Sequence, residues 1–139
     1  MTGARPDGGD AHVPEPLTIA VGADRASPAR ARRAIKALGL PRQVEKDAML
    51  LTSELVSNSV LHAGIGPGDA IMLKMEAWPD RVHIAVRDPG RGRERPAVLE
   101  GEAAFGGWGM RLVQRLSDGW GVAARPACTC VWFDLSVGG

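Results

Sequence analysis

Within residues 50–64, Glu54 and Asn58 stand four residues apart. On a helix that spacing stacks them one turn over the other on one face, with His62 one turn further along. Leu51, Leu55 and Leu61, with Val56 and Val60, supply an apolar face at helical spacing, and Gly64 stops the run. An acid and a neutral amide on a mostly apolar helix are costly to bury unless something binds them. A magnesium ion carrying a phosphate suits both. Asn58 offers a carbonyl oxygen, and Glu54 can take a proton from a nucleophile. Read alone, the helix is more often an ordinary amphipathic one whose Glu and Asn are partly exposed.

Two further places carry chemistry. Asp88-Pro89-Gly90-Arg91-Gly92 follows an apolar, alternating run. Glycines there let the backbone approach a flat ligand, while the carboxylate can accept from an exocyclic amine such as that of adenine. By itself Asp-x-Gly-x-Gly is a weak signal that any turn can hold. Gly106-Gly107-Trp108-Gly109 opens a short amphipathic run through Leu116. Glycines at a helix start expose N–H groups where the dipole is positive, a place for phosphate. The pattern is not a Walker loop, since no Gly-Lys-Ser/Thr follows, nor a Rossmann fingerprint, since no strand leads into it.

The elements that must position these residues are legible in order. Residues 1–14, rich in Gly, Asp and Pro, read as a flexible tail ahead of one domain over 15–139. Residues 17–21 alternate like a first strand. Ser27-Pro28 reads as an N-cap with proline at the first helical position, opening a helix that runs to Leu38 and stops at Gly39. That helix carries Arg30, Arg32, Arg33 and Lys36, a solvated face or a contact for an anionic partner. Pro41 opens the second helix. Residues 70–77 and 81–87, joined by Trp78-Pro79-Asp80, read as an antiparallel hairpin with His83 on its outward register. Residues 93–105 read as a loop, a candidate lid. Trp120–Ala123 and Cys130–Leu135 read as the last strands.

Composition sets the bounds. The chain has 139 residues, 45% hydrophobic and 24% charged, enough for one core without staples. The net charge of +1 comes with no Lys/Arg block to act as a nucleic-acid arm. No run approaches a membrane span, and no secretory signal is visible, so cytoplasmic localisation is expected. Cys128 and Cys130 share one face of a strand, a poor geometry for a disulfide. They read as core thiols.

The three motifs together, in this order, resemble the GHKL-type ATP-binding domain shared by gyrases and histidine kinases. The likeness is greatest to stand-alone anti-sigma-factor serine/threonine kinases of the actinobacterial type. It covers Leu17 to Val137. Glu54–Ala63 is similar to the first family box, Asp88–Gly92 to the second and Gly107–Val113 to the third. The resemblance implies an α/β two-layer sandwich: a mixed, mostly antiparallel sheet covered by helices on one face. It implies ATP with Asp88 on the adenine amine, Gly90 and Gly92 beside the base and Asn58 on Mg2+. His62 would lie near phosphate. Gly107, Trp108, Gly109 and Met110 would form the lid and helix start that close on the phosphates. Glu54 would be the base that activates a partner's hydroxyl. A threonine that the family carries in the last strand near adenine aligns here with Cys130, beside Thr129. The implied partners are a sigma factor and an anti-anti-sigma protein of STAS type, without direct nucleic-acid or membrane contact, and with homodimer formation open. Two alternatives are a non-catalytic binding module on the same fold and a stand-alone histidine kinase catalytic domain.

Overall fold

A computed structural model describes residues 15–62, 68–89, 108–125 and 128–138, with backbone only at 62, 108–110, 124 and 125. The expected tail and lid lie outside the described residues. In chain order the elements are β1 (Leu17–Ala20), α1 (Ser27–Lys36), α2 (Arg42–His62), β2 (Met72–Trp78), β3 (Arg81–Asp88), α3 (Trp108–Leu116), β4 (Gly119–Arg125) and β5 (Cys128–Ser136). The five strands form one sheet in the order β1-β2-β3-β5-β4. The sheet expected to be mostly antiparallel is antiparallel at every one of these pairings.

Alternation along the strands divides the sheet into two unlike faces. Leu73, Met75, Val82, Ile84, Val86, Val131, Phe133 and Leu135 point to one side and pack against Ala31 and Ile35 of α1, Ala48, Leu51, Leu55 and Val56 of α2, and Val113 of α3. The other face carries Lys74, His83, Arg87, Cys130 and Trp132, and no described helix covers it. His83 is therefore outward, as its register predicts. The cysteines are not core thiols. Because side chains alternate with a period of two, the buried Val131 and Phe133 fix the register of β5 and send Cys128 and Cys130 to the open face, where both are half-buried. Burial there still pushes the Cys130 thiol above its ordinary range.

The helix starts differ slightly from expectation. Ala26, rather than Ser27, is the N-cap of α1, and Ser27 is its first helical residue. Asp24 displaces it by accepting from the Ala26 N–H at 2.8 Å, while the Ser27 hydroxyl accepts from the Asp24 N–H at 2.9 Å. A hydrogen bond from Arg30 holds the Asp24 carboxyl below its usual range. Past the end of α1, Gly39 takes φ +70°, the left-handed conformation that closes a helix. No described helix is long and apolar enough to cross a membrane.

Candidate functional site

The 21 residues of α2 are one continuous helix, and its buried stripe sets the angle of everything else on it. Ala48, Leu51, Thr52, Leu55, Val56 and Ser59 are buried, at spacings that alternate between three residues and one. Leu61 does not join the stripe and is 72% exposed. Six residues beyond Leu55, at about 100° each, it has turned well away from the sheet. Glu54 and Asn58 flank the stripe one turn apart, each half-buried, as their spacing requires.

Asp88 is the last residue of β3 and continues the inward register of Val82, Ile84 and Val86. It is 3% exposed. The Ser59 hydroxyl donates to Asp88 Oδ2 at 2.7 Å, tying α2 to the end of β3. Across the sheet Asp88 pairs with Thr129 of β5, which is 2% exposed. Directly opposed residues share a face, with Cβ atoms about 5 Å apart. Thr129, and not the aligned Cys130, therefore stands beside Asp88. Cys130 pairs with Arg87 and points to the opposite face. The alignment was displaced by one position, which in a strand exchanges faces.

Three buried side-chain atoms of α2 and β5 have no hydrogen-bond partner among the described residues: Thr52 Oγ1, Asn58 Nδ2 and Thr129 Oγ1. Each such atom costs about 1–3 kcal/mol unless a ligand or water completes it. A nucleotide suits this set. The Asp88 carboxylate can accept from an amine, the Thr129 hydroxyl can donate or accept, and the Asn58 amide has both a donor and a carbonyl oxygen of the kind that coordinates a hard cation. Among the described residues no three His, Cys, Asp or Glu side chains cluster as a metal cage. A hard cation would therefore rely on Asn58, waters and phosphate oxygens, the usual arrangement for magnesium. At the strand end Asp88 also borders a cleft of about 230 Å³ lined by Met72, Arg87 and Cys128 of the open face with Ala70 and Pro89; no described residue of α2 lines it.

Of the residues the sequence singled out, Asp88 is tied to α2 through Ser59, and Glu54 and Asn58 stand one turn apart on that same helix. His62, Trp108, Gly109 and Met110 are placed as backbone of α2 and α3. Gly90, Gly92 and Gly107 lie outside the described residues. Sequence reasoning missed Ser59 as the group that holds Asp88. Its signal was present: it is a hydroxyl residue falling on the apolar stripe set by Leu51, Leu55 and Val56. No curated protein matches the sequence. The model of one family, the histidine kinase-like ATPase domain, matches residues 21–135 and so takes in α2, Asp88 and Thr129. The chain belongs to the histidine kinase-like ATPase domain family.

Proposed function

We propose that the chain binds ATP with magnesium between α2 and the end of β3, and acts as an anti-sigma-factor-type protein serine/threonine kinase on an anti-anti-sigma partner. The observation that carries the nucleotide part is the buried Asp88 carboxylate, fixed at 2.7 Å by Ser59, the chain neighbour of Asn58, and opposite Thr129. Bound ATP would supply a transferable phosphoryl group. Asp88 and Thr129 would read the edge of the base, and Asn58 would hold the cation. Glu54, half-buried one turn before Asn58, would take the proton of a partner's serine or threonine hydroxyl. In that step the hydroxyl oxygen bonds the terminal phosphorus as the bond to the leaving ADP oxygen breaks. The sigma factor is the second proposed partner.

A second reading is a binding module in which nucleotide only sets which partner is held. The presence of Glu54 one turn before Asn58 favours the kinase, since a binder need not carry a base there. The test is Glu54→Gln, which keeps size and most hydrogen bonding but cannot accept the proton. Candidate anti-anti-sigma proteins are incubated with labelled ATP. Phosphotransfer should fall by about 10²–10⁴-fold while ATP affinity barely changes. Undiminished labelling by Glu54→Gln rules out the base role, and ATP binding without labelling of any candidate supports the module.

A further inference from the structure

The side of the sheet turned away from the helices is not a flat polar surface. Three cross-strand rows run over it. The middle row is Thr18, Lys74, Ala85, Trp132 and Gly121, each opposite the next. Ala85, at its centre, is much smaller than its neighbours, so a well forms above it with Lys74 and Trp132 on either side. Arg87 and His83, two residues away on the same strand, close the other two sides. The hollow has a volume of about 450 Å³. No Asp or Glu is among the described residues that line it.

The walls are held in place. A Cβ at Gly121 would meet Trp132 Nε1 at 2.5 Å, so the indole lies directly on the glycine backbone. On the other side the His83 ring stacks on it, with centroids 5.4 Å apart and planes tilted by 30°. His83 is fixed in turn, its Nδ1 lying 2.7 Å from Asp134 Oδ1. The Asp134 carboxylate is thus engaged by the imidazole; like Glu76, which stands opposite His83 on the same face, it is not among the described residues lining the well. Lys74 and Arg87 are exposed, and among the described residues neither is ion-paired. Their two charges face the hollow, and among the described residues no carboxylate lines it.

We propose that this face docks an acidic segment of a partner protein, with one Asp or Glu side chain entering the well above Ala85 between Lys74 and Arg87. Charge complementarity selects the acid. A pre-set tryptophan beside an arginine selects a polypeptide over a free anion, because these are the residues that anchor protein interfaces. Ordering them in advance also lowers the entropy lost on binding. The face lies on the side of the sheet opposite Asp88 and Ser59, so this inference does not rest on the nucleotide reading.

The test is selection of random short peptides displayed on phage against the full chain. Recovered peptides are then titrated against wild type, Lys74→Glu/Arg87→Glu and Ala85→Leu, the last filling the well while keeping its charges. Melting curves establish that each variant is folded, and single Lys74→Glu serves if the double variant is not. The expected peptides carry Asp or Glu and lose affinity by at least about tenfold in both variants, the effect of removing an interface anchor. Peptides without an acid, none recovered at all, or equal affinity for the variants would overturn the proposal. So would full displacement by millimolar phosphate, which would mark a free-anion site. Sedimentation provides the last arm: self-association of wild type that the double charge reversal abolishes would make the occupant a second copy, and overturn it equally.

Discussion

Replacing Ser59 by alanine removes one oxygen atom, and the structure says what that atom does. It donates to Asp88 Oδ2 at 2.7 Å, between residues 6% and 3% exposed and 29 positions apart in the chain. Water has poor access to replace it, and a hydrogen bond to a charged acceptor contributes about 1.5–3 kcal/mol. In a domain of this size each kcal/mol moves the midpoint by about 3–5 °C, so Ser59→Ala should melt about 5–15 °C below wild type. The measurement is thermal and urea unfolding without nucleotide, on wild type, Ser59→Ala, Asp88→Asn and the double variant. Because the two side chains touch, the cycle should show a coupling of about 1 kcal/mol or more. Calorimetric titration with ATP should show weaker binding in both single variants, since each disturbs the acceptor proposed for adenine. Strictly additive stability losses, or a Ser59→Ala variant within about 0.5 kcal/mol of wild type, would refute the assigned bond.

Three other outcomes are expected. Asn58→Ala should weaken ATP binding in the presence of magnesium and leave it nearly unchanged in excess chelator, as titrations under both conditions would show. Gly121→Ala forces the Trp132 ring off its seat, costing about 1–3 kcal/mol by overpacking and shifting the tryptophan emission. Burial raises the Cys130 thiol, so its folded form stays protonated in mildly alkaline buffer where a free thiol has begun to ionise. Its alkylation by iodoacetamide should therefore rise at a higher pH in the folded chain than in urea, as peptide mapping would follow.

Where periodicity was long and unbroken, the sequence was an adequate guide. The hairpin of β2 and β3, the span of α2 and the same-face relation of Glu54 to Asn58 all follow from local spacing, and the structure has them. The failures share a cause. Whether Leu61 is inside, which face Cys128 and Cys130 take, and which residue stands beside Asp88 depend on rotation or register set by distant partners. Leu61 looked like a core residue by type, but the angle of α2 is decided by Leu51, Leu55 and Val56 against the sheet. Thr129 could not be told from Cys130 by composition, because strand pairing, not local preference, decides which of two neighbours faces the helices. The Ser59–Asp88 bond was hidden for the same reason, as its two ends lie on different elements.

The order of strands in the sheet also bears on when the chain becomes competent during folding. β3 is flanked by β2, its hairpin partner, and by β5, which follows it only after α3 and β4. About forty residues separate Asp88 from Thr129, so pairing them closes a long loop, a slower event than zipping the adjacent hairpin. A refolding chain can thus complete α2 and the β2–β3 hairpin, with Ser59 able to reach Asp88, before β5 adds to β3 with β4 on its outer edge. At that stage the carboxylate would be in place with one wall of its pocket absent. Nucleotide capture should accordingly track the last strand's arrival and not the early gain of helix, making bound ATP a reporter of the final step of assembly.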